Sequence, residues 1–192
     1  MARSMIAGSL AALALAGCGS EATNQNNVAA PALENEAGLP ANEAAPAAAV
    51  GGQAYVDQAG AGDLYEIESA RLAIEKAERS EVRELAQMIL ADHQRSTEQL
   101  VAAAGRATPP LTAAPQMNAE QESNIQALRA AAGAAFDTEY LRQQRAAHEQ
   151  ALALVEGYAA NGDAAALREH ASTVSGPIRR HLERARALSA GN

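Results

Sequence analysis

The stretch EVRELAQMILADHQRSTEQLVAAA, Glu81–Ala104, decides the fold. Its apolar side chains, Val82, Leu85/Ala86, Ile89 and Leu100, recur every three to four residues. That spacing puts them on one stripe of an α-helix. His93 stands in the same stripe, where a soluble helix normally carries leucine. Ser80 precedes the stretch as an N-cap, Glu81 and Glu84 load its first turn with negative charge, and Gly105 stops it.

Working outward, the same period returns three more times. Helix A, about 54–78, has the small-residue row Ala59, Gly62, Glu66, Ala70, Ala73, Ala77. Helix C, about 135–160, has Leu141, His148, Leu152, Val155, and helix D, about 164–188, has Val174, Ile178, His181, Leu188. Asn161-Gly162-Asp163 reads as a turn followed by an N-cap. Pro177 lies inside helix D and should kink it. Between B and C, Pro109, Pro110 and Pro115 forbid regular helix, and a short helix follows at about 119–132, capped by Asn118 and Gln121 and ended by Gly133. The expectation is an all-α domain over 54–190: a ferritin-like four-helix bundle of two antiparallel hairpins, with the extra short helix in the long B–C connection. A simple up-down bundle with a surface loop is the alternative.

Each stripe therefore holds one ionisable group, Glu66, His93, His148 or His181. Burying such groups costs several kcal/mol unless they are paired or bind a metal. Glu66 and His93 lie equally far from the A–B turn, roughly 20 Å at 1.5 Å per residue. His148 falls at the same level if the connection returns the chain to that end. His181 is six residues out of register with His148, about 9 Å, which side-chain tilt and the kink would have to close. Asp137, three turns before His148 on its face, brackets the cluster or caps helix C. Asp92 points about 100° from His93 and reads as solvated, and His170, with nothing level with it on its stripe, reads as core or partly exposed.

A metal held by Glu66, His93, His148, His181 and Asp137 would have an imidazole-rich donor set, suited to Zn, Cu or Fe rather than Mg or Ca. The Glu-x-x-His pairs of di-iron bundles are missing: Leu90, Arg145 and Ile178 stand three residues before His93, His148 and His181. No Walker loop, nucleophile elbow or zinc-protease motif occurs, so no enzyme class is indicated. The competing reading is a buried polar network without metal, in a structural or interaction module of the cell envelope.

The formal net charge is −8, and no basic patch or stacking aromatics stand out, which argues against nucleic acid. The N-terminus, 1–17, reads as a signal peptide: Arg3, then an apolar run from Met5 to Ala16 too short to span a bilayer stably. Leu15-Ala16-Gly17-Cys18 resembles the bacterial lipobox, whose cysteine is acylated. Cys18 is the single cysteine, and Gly19 rather than aspartate follows it. This resemblance implies a lipid anchor on the periplasmic face of the outer membrane. Residues 18–53, rich in Ala, Pro and Asn and without Lys or Arg, read as a disordered acidic tether. A protein partner and self-association to a homo-oligomer are left open.

The folded part is similar to a bacterial family of unknown function, number 4142, described as predicted outer-membrane proteins with ferritin-like folds. The likeness rests on Glu66-Ile67-Glu68 with Leu72-Ala73 and Val82; on Leu85-Ala86, Met88 and Asp92-His93; on Phe136-Asp137-x-x-Tyr140 with His148; and on Pro177-x-x-x-His181-Leu182 with Ala185 and Leu188. Three positions depart from the pattern. Tyr55 replaces a phenylalanine, His170 an apolar residue, and Ser175-Gly176 a leucine. The resemblance implies fold and location. Related ferritin-like families include suspected metal binders, which bears on function by analogy alone.

Overall fold

The computed structural model describes residues 50–191, so the signal peptide, Cys18 and nearly all of the tether lie outside the described residues. Five helices follow one another: α1 (Gly52–Lys76), α2 (Ser80–Gly105), α3 (Ala119–Ala130), α4 (Gly133–Asn161) and α5 (Ala165–Ala190). Four are long, α3 is the short helix of the long connection, and there is no strand among the described residues. None of these helices is long and apolar enough to cross a membrane.

Three contacts give the chain direction. Asp163, in the α4–α5 turn, accepts the Gly52 N–H at the start of α1. Asp137, near the start of α4, accepts the Glu78 and Arg79 N–H groups of the α1–α2 turn. Arg79 in turn reaches the Leu188 carbonyl at the end of α5. The long connection therefore carries the chain back along the bundle, and α4 runs antiparallel to α1. Each helix packs on two neighbours in the order α1, α2, α5, α4. This is the up-down-down-up course with one long crossover, not the simple up-down alternative.

The caps differ from expectation. Ser80 is the first residue of α2, preceded by Arg79 without a side-chain cap, and Asp163 does not cap α5, whose N-cap is Ala164. Instead, two aspartates bond across the bundle to other segments. Asp137 accepts two N–H groups of the α1–α2 turn, and Asp163 accepts the first N–H of α1, a helix-end donor without an intrahelical partner. Gly133 opens α4 with φ 57° rather than ending α3, a backbone conformation that favours glycine. The Asn118–Gln121 capping box is present, and Lys76 donates to the last carbonyls of α3, Leu128 and Arg129. The connection lies against α1 at Gly60, where a Cβ would come within 2.7 Å of Pro115.

The apolar interior falls into two clusters. One lies near the α1–α2 turn and contains Ala70, Leu85, Ile89, Phe136, Leu141 and Ala185. The other lies near the α4–α5 turn and contains Val56, Leu100, Val155, Leu167 and Ile178. Each fully buried leucine or isoleucine stabilises the bundle by about 2 kcal/mol. On every long helix the ionisable residue sits between the two: Glu66 between Val56 and Ala70, His93 between Ile89 and Leu100, His148 between Leu141 and Val155, His181 between Ile178 and Ala185. A polar layer thus divides two apolar halves.

Candidate metal centre

His93, His148 and His181 come together. All three are buried, and one ring nitrogen of each lies within 4.8 Å of the others. Their ring centroids form a near-equilateral triangle with sides of 5.7, 5.7 and 5.2 Å. The register gap foreseen for His181 is smaller than a count through the turn suggests. His148 lies 13 residues before the end of α4 and His181 lies 16 after the start of α5. The difference is about 4.5 Å of helix rise, and the tilt of each side chain toward its own N-terminus closes it.

The outward-facing nitrogen of each ring has its own acceptor. His93 donates Nδ1–H to Asp63 Oδ1 at 2.8 Å. His148 donates Nδ1–H to the Gln144 carbonyl at 2.9 Å. His181 donates Nε2–H to Asp92 Oδ2 at 3.1 Å. Carboxylates and carbonyls only accept, so these bonds set the tautomers. They leave His93 Nε2, His148 Nε2 and His181 Nδ1 as the inward nitrogens. His93 Nε2 is buried without any hydrogen-bond partner. His148 Nε2 and His181 Nδ1 are 3.2 Å apart. Two imidazole lone pairs do not face each other at that distance unless a proton or a cation lies between them. Nitrogens on one tetrahedral ion are about 3.3 Å apart when each bond is 2.0–2.1 Å.

Burial dominates the electrostatics of this layer. Burial pushes the Glu66 carboxyl up to about 7, against the attraction of His93 and the Gln144 amide. Burial, then the neighbouring His93 and His181, hold His148 well below the usual imidazole range. Burial and His93 bring His181 down to about 4, with Asp92 opposing. Burial also opposes charge on His93, but Asp63 and Glu66 outweigh it and raise it. The 3.6 Å approach of Glu66 Oε1 to His148 Nδ1 is therefore not an ion pair, because both groups are pushed toward their neutral forms and that N–H already serves Gln144. Glu66 Oε2 has no partner.

Of the residues read from the sequence, the three histidines converge and Glu66 borders them. Asp137 lies elsewhere, with its oxygens 3.0 and 2.9 Å from the Glu78 and Arg79 nitrogens. His170 is buried and does have level partners: its Nδ1 is 2.8 Å from the Tyr55 hydroxyl and its Nε2 is 3.3 Å from the Ser96 carbonyl. Two residues of the centre were missed. Asp92 is not simply solvated but receives His181 and also pairs with Arg95. Asp63 lies one helical turn before Glu66, on the side of α1 that faces α2, and that spacing was the available signal. Ligand histidines with a carboxylate or carbonyl on the far nitrogen are the usual arrangement at protein metal sites.

Residues 37–188 match the family model described as "Domain of unknown function (DUF4142)". No curated protein matches the chain. Among solved structures, CopM in the Cu(II)-bound form is similar at 18% identity and a TM-score of 0.63, over 74% of this chain and 97% of that one. CopM in the apo form is similar at 18% identity and a TM-score of 0.61, over 74% and 98%. A DUF305 fragment from Deinococcus radiodurans is similar at 16% identity and a TM-score of 0.64, over 73% and 96%. At these identities the likeness concerns the helical-bundle fold.

Proposed function

The chain belongs to the DUF4142 family, and we propose that it is a metal-binding protein of the bacterial envelope, holding one transition-metal ion at His93, His148 and His181. The observation that carries this is the convergence of three buried imidazole nitrogens whose opposite nitrogens are all hydrogen-bonded outward. The donor set contains no sulfur and suits Zn, Cu or Fe. CopM, which shares the fold at low identity, exists in Cu(II)- and Ag-bound forms, and this supports metal uptake by such a bundle. The sequence around Cys18 supports a lipid anchor at the periplasmic face of the outer membrane, where the domain would sense or buffer metal or serve a stress response.

Isothermal titration of residues 50–192 with Zn(II), Cu(II) and Fe(II) tests the reading. One ion per chain, lost in a His93→Ala/His148→Ala double variant, is expected. Affinity weaker than ~10 μM for all three, or binding unchanged in the double variant, refutes it. The second reading, a metal-free polar network, is favoured by one observation: each of the three histidines has a hydrogen-bond acceptor of its own within the fold. It predicts that His148→Leu leaves the protein as stable or more stable and removes no metal.

A further inference from the structure

The point where the three imidazoles converge is sealed. His148 and His181 are each 1% exposed, and the unpartnered His93 Nε2 is buried. A cavity of about 400 Å³ lies between α1, α4 and the long connection, and it is lined by Asp63, which holds the outward nitrogen of His93. A smaller space of about 100 Å³ between α2 and α5 is lined by Asp92, which holds the outward nitrogen of His181. His148 borders neither. The inward nitrogens come from α2, α4 and α5, and the remaining long helix, α1, adds no fourth. Its carboxyl groups at this level approach outward nitrogens instead: Asp63 Oδ1 that of His93 at 2.8 Å, Glu66 Oε1 that of His148 at 3.6 Å. Among the described residues, the donor atoms within 4.8 Å of one another are three imidazole nitrogens, with no carboxylate and no thiolate.

Coordination number and charge decide which ion suits such a place. Zn(II) in proteins is almost always four-coordinate, and where side chains give three donors a water or substrate gives the fourth. Cu(II) prefers a square or tetragonal set and also wants at least four donors. A convergence point walled off from both spaces admits no such extra ligand. A closed-shell monovalent ion, Cu(I) or Ag(I), is satisfied by three nitrogens in a plane. Such nitrogens stand about 3.5 Å apart when each bond is about 2.0 Å, and His148 Nε2 and His181 Nδ1 are 3.2 Å apart. The cost of taking an ion out of water rises with the square of its charge, and all three donors are neutral imidazoles. Of the aspartates behind the rings, Asp92 is already shared with Arg95 at 2.9 Å and Arg180 at 3.9 Å. We propose that the centre is a closed, three-coordinate site that selects a monovalent ion, Cu(I) or Ag(I), over Zn(II) and Cu(II). This rests on the metal reading above.

The full chain is titrated without oxygen with Cu(I), in competition with the chromogenic chelator bathocuproine disulfonate, and separately with Zn(II) and Cu(II) by calorimetry. One Cu(I) per chain is expected, bound at least ~1000-fold more tightly than Zn(II) or Cu(II), which should bind in the low micromolar range. Ag(I) should displace Cu(I) one for one, and X-ray absorption of the Cu(I)-loaded chain should show three nitrogen neighbours. Zn(II) or Cu(II) bound as tightly as Cu(I) overturns this inference alone, and so does a fourth nitrogen or oxygen neighbour on Cu(I). Cu(I) affinity unchanged in the His93→Ala/His148→Ala variant, shown by circular dichroism to remain helical, overturns both this inference and the metal reading. A chain that takes up none of these ions overturns the metal reading, and this inference falls with it.

Discussion

Glu66→Gln in the metal-free protein should stabilise the bundle by an amount that grows as pH rises from 4.5 to about 7. Glu66 is 3% exposed, and burial lifts its carboxyl from an ordinary 4.5 to about 7. Between these values the folded chain holds a proton that the unfolded chain has released. An acid whose folded pKa is raised loses stability as pH rises, because the native state must either keep that proton or bury a charge. At 1.36 kcal/mol per pKa unit, the gap corresponds to about 3 kcal/mol of destabilisation, absent below pH 4.5 and complete above pH 7. Glutamine has nearly the shape of the protonated acid and never ionises. The variant should therefore match the wild type below pH 4.5 and exceed it by about 3 kcal/mol above pH 7. The support that Asp63 gives His93 is the same in both proteins, so most of the histidine titration cancels in the difference. Urea unfolding across this pH range, with chelator present, measures it. A difference that does not vary with pH, or a variant that is less stable above pH 7, would refute the reasoning: it would mean that the carboxylate is ionised and compensated inside the fold.

Three further outcomes are expected. Asp137→Ala should cost about 3 kcal/mol by denaturant unfolding, since two part-buried N–H groups lose a charged acceptor; metal stoichiometry should not change, and a lowered stoichiometry would return Asp137 to the centre. Asp92→Asn should weaken metal binding ~10- to 100-fold by loosening His181, as far-nitrogen partners do at other sites, and metal affinity of the wild type should fall with pH as the raised His93 retains its proton; titration calorimetry at several pH values reads both. Cys18→Ala should release the protein from the membrane fraction and abolish labelling by a fatty-acid analogue, and a variant that still fractionates with membranes counts against the anchor.

Much of this was legible from spacing. Counting from the A–B turn put Glu66 and His93 level, because two helices joined by a short turn rise at the same rate. His148 joined them only on the condition that the long connection returns the chain to the same end, which the structure shows. His181 was harder. The turn residues between Asn161 and Ala165 add chain but little rise, so a count through them overstated the gap. The Asn118–Gln121 capping box was legible, but two other caps were not. Ser80 and Asp163 have the residue types and positions of N-caps, yet Asp163 accepts from the start of α1 and Asp137 from the α1–α2 turn, both distant in sequence. Local propensity ranks what a residue can bond nearby and is silent about a better partner on another helix. Asp92 illustrates the same point. It points away from the stripe of its own helix, and it reaches α5 because a neighbouring helix packs into that gap.

The sequence by itself determined the number and type of helices and put Glu66 level with His93, because these follow from the 3.6-residue period, from proline and from a short turn; the crossover that brings His148 to the same level was decided by the tertiary structure. Only the tertiary structure decided which nitrogens face inward. That depends on Asp63, Gln144 and Asp92 holding the far side of each ring, and those partners are set by how helices α1, α2, α4 and α5 lie against one another. It also decided that the centre borders a cavity, since a void is a property of what the packing leaves unfilled and no single stripe of side chains encodes it.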